Sequence, residues 1–169
     1  MSDVGAEPPN AFLRQLPKAE LHLHLEGAVE PATLLELRKQ HGENATLAQT
    51  EALYRFTDFA SFLMAFKEVS AHLRGPDDYE FVAYRLMQRL KEENVLHAEV
   101  YVSVGVCRYR KQDFPAIFEG LERGRARGAK DFGVSLLWIF HATRHFGVEE
   151  AQKVFELAAH YKNLSLIHI

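Results

Sequence analysis

Apolar and polar residues alternate strictly from Lys18 to Leu25, with Ala19, Leu21, Leu23 and Leu25 on one parity and Glu20, His22 and His24 on the other. Strand side chains have period two, so this run predicts a β-strand with one apolar and one polar face. A helical turn around Phe12, Leu13 and Leu16 precedes it and stops at Pro17, and Glu26-Gly27 ends it. The period then changes. Pro31, favoured at the first helical position, opens a helix with Leu34, Leu35 and Leu37 facing inward, closed by His41-Gly42. Thr46 to Tyr54 predicts a short amphipathic helix. Asp58 is a plausible cap for a longer one, whose stripe is Phe59, Phe62, Leu63, Phe66, Val69 and Leu73 and whose stop is Gly75-Pro76. Asp77 or Asp78 caps the next helix, apolar at Phe81, Val82, Tyr84, Leu86 and Leu90 and running through Glu93. Val95 to Val104, rich in β-branched and aromatic residues, predicts a second strand, and Asp113 caps a helix from Phe114 to Arg127. Gly133 to Phe140 is almost wholly apolar, as in a strand covered on both faces, and Val148 to Lys162 is the last clear helix.

Strands alternate with helices three times, an order that implies parallel strands joined by right-handed crossovers. Extra helices follow the first strand, and no repeat, low-complexity segment or linker divides the chain. At 169 residues the chain can bury one substantial core. A complete eight-stranded β/α barrel takes about 250 residues, so such a barrel could be present only in part. Met1 to Asn10 reads as a disordered polar tail, residues 11–163 as the folded region, and 164–169 as a separate question taken up below.

Charge and targeting exclude more than they assign. A net charge of −3 lacks the basic excess of a nucleic-acid binder. The one basic cluster, Arg123, Arg125, Arg127 and Lys130, reads as a solvated helix end. Cys107 is the only cysteine, which excludes an internal disulfide and fits a reducing, cytoplasmic setting. The first residues do not form a signal peptide, and the longest strongly apolar run, Val134 to Phe140, is far below the roughly 20 residues of a membrane helix.

The chemistry concentrates in Pro17-Lys18-Ala19-Glu20-Leu21-His22-Leu23-His24-Leu25-Glu26-Gly27. Histidines at i and i+2 of a strand stand about 6.5–7 Å apart and point the same way, so both imidazoles can reach one metal ion. Zinc suits imidazole, and a hydrolytic site leaves one position open for water. A solvated polar strand face is the alternative. The position, near the carboxyl end of the first strand of a β/α chain, is where barrel enzymes place their sites. His72, His97, His141, His145 and His160 read more readily as surface or satisfied core histidines, with His141 and Arg144 favoured because they follow the third strand at its catalytic end. Nothing around Cys107 predicts a reactive thiolate, and the role of Glu99 is open.

The run Leu16 to Gly27 resembles the first-strand signature of the adenosine deaminase family of the amidohydrolase superfamily. The resemblance extends through Phe56-Thr57-Asp58-Phe59, His97-Ala98-Glu99-Val100 and Arg144-His145. Within the family, Phe56 to Tyr79, Tyr101 to Val106 and Trp138 to Gly147 look closest to bacterial aminodeoxyfutalosine deaminases, which serve menaquinone synthesis. The resemblance implies an α/β fold, a partial TIM-type barrel of about the first three β/α units with inserted helices. It implies that His22 and His24 ligate one zinc ion, that Glu26 contacts the sugar of a nucleoside, where many relatives have Asp, and that His24 with Phe59, Phe62, Leu63 and Phe66 borders the purine pocket. An aromatic stripe at helical spacing reads equally as core.

The implied reaction is hydrolytic loss of the 6-amino group of adenosine or an adenosine-like nucleoside, with zinc activating the attacking water. The family's third histidine ligand, proton-donating Glu and Asp pair have no match after Val148. The chain by itself is therefore expected to be inactive and poorly soluble, with open sheet edges and a bare inner face. Two other readings stay open: a non-catalytic binding module, and another amidohydrolase such as a metal-dependent phosphoesterase. Leu164 to Ile169 reads either as the start of a fourth strand or as the translation of a DNA-library adapter.

Overall fold

The computed structural model describes residues 11–161 and 164–168; the tail expected at Met1–Asn10 lies outside the described residues, as do Lys162, Asn163 and Ile169. Four strands, β1 (Lys18–His24), β2 (Val95–Val102), β3 (Ser135–His141) and β4 (Leu164–His168), form one all-parallel sheet in the order β1-β2-β3-β4. Sequential order with every neighbour parallel is what a barrel wall requires. The fourth-strand reading thus describes the conformation of Leu164 to His168, paired with β3 from Trp138 to His141.

The helices are α1 (Ala11–Gln15), α2 (Pro31–Gln40), α3 (Leu47–Ala52), α4 (Phe59–Ala71), α5 (Pro76–Glu92), α6 (Val104–Tyr109), α7 (Phe114–Phe132) and α8 (Val148–Ala158). Thr46 caps α3 and Asp58 caps α4, each in a reciprocal capping box with the residue three positions on. Ala98, Val100 and Val102 of β2 and Leu136, Trp138 and Phe140 of β3 point away from the barrel interior and join Val82 and Leu86 of α5 with Ile117 and Leu121 of α7 in one buried core. The Trp138 indole donates to Glu122 Oε1 at 2.8 Å, so the largest buried ring is not left with an orphan N–H.

Helices α5 and α7 meet along a seam of glycines that the apolar pattern does not register. A Cβ on Gly120, Gly124 or Gly128 would stand 2.1 Å from the Pro76 carbonyl oxygen, 2.4 Å from that of Glu80 and 2.5 Å from Met87 Sδ, respectively. Spacing of four keeps the three on one helical face and lets the backbones touch.

Several boundaries differ from the sequence expectation. Pro76 opens α5 rather than ending α4, and Asp78 acts from the third helical position, its Oδ2 accepting the Arg74 and Gly75 amides at 2.7 and 3.1 Å. Strand β2 stops at Val102 because the Ser103 amide turns to Glu26, and α6 begins where continued strand was expected. Helix α7 continues five residues beyond Arg127, so the basic cluster lies within it. There Arg123 and Arg127 pair with Glu80 of α5 and Arg125 with Glu122, rather than forming a solvated helix end. Gly133, at φ 70°, ends α7 in the left-handed region instead of opening β3, and α8 ends at Ala158. The expected apolar face of the first strand is only half covered: Leu21 is 58% exposed, at an irregularity in the pairing of β1 with β2.

Candidate active site

The carboxyl end of β1 departs from simple alternation. Its register with β2 runs Glu20 to Ala98 and then Leu23 to Val100, so Leu21 and His22 together stand opposite Glu99. Such an extra residue inverts side-chain parity along the strand. Above the irregularity His24 pairs with Tyr101, a residue on the interior face of β2.

The His22 and His24 rings are 5.5 Å apart, and both stack on the Tyr101 ring, at 4.5 and 4.8 Å. His141, the last residue of β3, sets its ring edge-on to His24 at 5.7 Å. Three successive strand ends therefore contribute rings to one cluster. His22 is exposed and His24 half-buried, whereas Tyr101 is buried beneath them.

Immediately after β1, Glu26 begins a 3-10 turn, Glu26–Ala28, and is 3% exposed. Its Oε1 accepts the Ser103 amide at 2.9 Å, while Oε2 is buried without a hydrogen-bond partner. Burial raises its pKa, favouring the protonated acid over the carboxylate. Glu26 lines a cleft of about 110 Å³ with Gly27, Tyr54, Phe56, Phe62, Ala65, Phe66 and Val69. The ring of Phe66 lies over Gly27, where an added Cβ would touch it at 3.5 Å. Tyr54 is fixed by donating its hydroxyl to the Val29 carbonyl at 2.6 Å.

Of the α4 residues expected at a purine pocket, Phe62 and Phe66 line this cleft; Phe59 and Leu63 do not and are 72% and 47% exposed. The stripe is accordingly not core: among its members only Val69 and Leu73 are buried. Tyr54, Phe56 and Tyr101 carried no signal as single residues, although Tyr101 shares the interior parity of β2 near its carboxyl end. A larger hollow of about 460 Å³, lined by Leu13, Arg14, Lys18, Glu92 and Glu93, lies where β1 begins and offers no histidine or cysteine. Lys18 of the first-strand motif is structural there, its ammonium donating to the carbonyls of Arg14, Leu16 and Glu93.

The remaining candidates divide. His97 bonds Ser135 Oγ at 3.0 Å, Glu99 takes a hydrogen bond from Ser165, and Arg144 and His160 are exposed. The His145 side chain lies outside the described residues. Cys107 is buried against the Tyr79 hydroxyl at 3.3 Å, and burial pushes its thiol up to about 12, as expected of an inert cysteine. His72 is neither a surface histidine nor a satisfied core one, since it is buried with both ring nitrogens lacking hydrogen-bond partners. Among the described residues, no helix is long and apolar enough to cross a membrane.

A protein-family model described as adenosine deaminase matches residues 17–169. An adenine deaminase of Rhodospirillum rubrum is 35% identical over 156 residues, 90% of this chain and 47% of that protein. An aminodeoxyfutalosine deaminase of Streptomyces avermitilis is 31% identical over 152 residues, 88% of this chain and 42% of that protein. The chain thus spans about half the length of the curated relatives it matches. Among solved structures, an adenine deaminase of Arthrobacter aurescens superposes with a TM-score of 0.79 at 28% identity, over 89% of this chain and 47% of that one. An amidohydrolase of Burkholderia ambifaria solved with bound Zn superposes with a TM-score of 0.80 at 26% identity, over 97% and 47%.

Proposed function

The chain belongs to the adenosine deaminase family, and on that premise we propose that it forms the amino-terminal part of the barrel of a zinc-dependent deaminase that hydrolyses the 6-amino group of a purine. The observation that carries this reading is the pair His22 and His24, rings 5.5 Å apart and both stacked on Tyr101 at the strand ends. Two imidazoles from one strand, held by a shared aromatic wall, fit zinc by donor chemistry. Zinc, when bound, acts as a Lewis acid and activates water.

The chain's own residues orient and enclose. Tyr101 restricts the rotation of both imidazoles, and His141 borders His24 from β3. Glu26 holds one oxygen on the Ser103 amide and lines the cleft, where a protonated carboxyl group would donate a hydrogen bond to a ligand oxygen or ring nitrogen. Phe62 and Phe66 form apolar walls suited to a purine face. The cleft beside Glu26, walled by Tyr54, Phe56, Phe62 and Phe66, suits a flat purine base. The relatives named adenine deaminase fit a free base as substrate, and those named aminodeoxyfutalosine deaminase fit the nucleoside and menaquinone reading. We place the protein in the cytoplasm on its single cysteine and the soluble chemistry of its substrate class.

The test has two parts. The chain should bind zinc with an affinity that His22→Ala and His24→Ala lower, and should not consume adenine, adenosine or aminodeoxyfutalosine when followed by ultraviolet absorbance. A longer gene product carrying the remaining strands should release ammonia from one of the three. Turnover by the chain above the double-alanine control overturns its inactivity. Phosphate release from a phosphoester by the longer product, without ammonia release, overturns the deaminase reading.

A further inference from the structure

Three helix ends converge on the outer layer, at residues that the strand-end cluster does not use. His41 caps the end of α2, His72 caps the end of α4, and Asp78 lies in the first turn of α5. Helices α2 and α5 run antiparallel, as the ion pairs Glu30 to Arg89 and Glu36 to Arg85 and the contact of His41 with Asp78 require.

The hydrogen bonds fix the orientation of the His41 ring. Asp78 Oδ2 already accepts two backbone amides, and its Oδ1 lies 2.8 Å from His41 Nε2, which must therefore donate. Nδ1 of His41 is buried and without a hydrogen-bond partner. A carboxylate that fixes one ring nitrogen and thereby presents the other is the arrangement that supports metal-ligating histidines.

His72 is 6% exposed, and neither of its nitrogens is hydrogen-bonded. Nδ1 stands 3.4 Å from Glu43 Oε1, near enough for charge attraction but not aligned for a hydrogen bond, and Nε2 stands 3.8 Å from Glu68 Oε1. Burial lowers its pKa against the pull of Glu43. Unpartnered buried nitrogens are costly, so three of them in one place call for an occupant.

We propose that His41, Glu43 and His72 form a second divalent-cation site, suited to zinc, that ties together the ends of α2 and α4. One donor atom from each residue lies within 4.8 Å of the other two. Donors on a tetrahedral zinc at about 2.1 Å stand roughly 3.4 Å apart, so side-chain rotation of about an ångström closes the site. Two imidazoles and one carboxylate select zinc over calcium or magnesium, which take oxygen ligands. Arg38 and Arg74 also hold Glu43, at 2.9 and 2.6 Å, but a carboxylate offers about four lone-pair positions and Arg74 is half-exposed, free to swing outward. Glu43, Glu68 and Asp78 against Arg38 and Arg74 leave one net negative charge beside the two imidazoles. Helix α4 carries Phe62 and Phe66, so a cation at its end would steady the wall of the cleft.

The experiment is a zinc titration of metal-free chain by calorimetry, repeated with cobalt to read the visible absorption of a tetrahedral site. In a His22→Ala, His24→Ala background, one equivalent should remain, raise the unfolding temperature, and disappear with His72→Gln. Glu43→Gln should remove one equivalent from the otherwise unaltered chain too, and because Glu43 is not buried it decides the matter if either histidine variant fails to fold by circular dichroism. Absence of zinc binding in a folded double-alanine chain, or binding indifferent to His72→Gln and Glu43→Gln, overturns the site.

Discussion

Glu26 accepts the Ser103 amide at 2.9 Å, and so ties the end of β1 to the end of β2 through a carboxyl group that is almost wholly buried. Its folded-state pKa lies above the ordinary 4.5, because burial outweighs the hydrogen bonds that favour the anion. The fold therefore prefers the protonated acid. That contribution is fully present below the unfolded value and is lost as pH rises through the folded one. Thermal unfolding should show the chain losing more stability than Glu26→Gln as pH rises above the ordinary carboxylate value, at up to roughly 1.4 kcal/mol for each pH unit by which the folded value exceeds the unfolded one. Parallel profiles for the two proteins would remove burial of this acid as the cause.

Tyr101 offers a ring to both histidines of the strand-end pair. Tyr101→Ala should weaken zinc binding by about tenfold, within the range for residues that orient ligands, and Tyr101→Phe should retain it. Equal losses in both variants would point to the hydroxyl instead of the stacked face.

Gly124 sits where α7 meets the backbone of α5, with Glu80 O at 2.4 Å from the position of an added Cβ. Gly124→Ala should destabilise by about 1–3 kcal/mol, because a backbone carbonyl cannot rotate away as a side chain can. Urea midpoints measure it; an unchanged or higher midpoint would mean that the seam opens freely.

The buried Cys107 thiol, raised from 9.0 to about 12, should react with a disulfide reagent about a thousandfold more slowly in the folded chain than after denaturation. Prompt labelling of native chain would show that the helices over β2 open readily.

Phe66 and Phe59 share a helix face but not a role. Phe66→Ala should weaken adenine binding, whereas Phe59→Ala should change stability by no more than about 0.5 kcal/mol and leave adenine affinity unaltered. Equilibrium dialysis with adenine separates the two.

Much of this architecture is legible along the chain. The three long parallel strands, the caps Asp58 and Asp113, and the helical start at Pro31 all follow from residues within a turn or two of one another. Errors gathered where a distant partner intervenes. Ser103 leaves the β2 ladder for a carboxylate 77 positions away, so a run that reads as strand to Val104 ends at Val102. The arginines of α7 look like a helix end until Glu80 is found opposite them.

By itself the sequence determined the alternation of strands and helices, the strand bearing His22 and His24, and its kinship with the adenosine deaminase family, because periodicity and a contiguous motif are local properties. Tertiary structure alone decided that Tyr101 and His141 border that pair, that Phe62 and Phe66 rather than Phe59 and Leu63 face the cleft, and that His41 meets His72. These outcomes depend on sheet twist, an added residue in the β1 register and a glycine seam that sets how closely α5 and α7 approach. Such rotations accumulate over the whole packed assembly, and no window of neighbouring residues contains them.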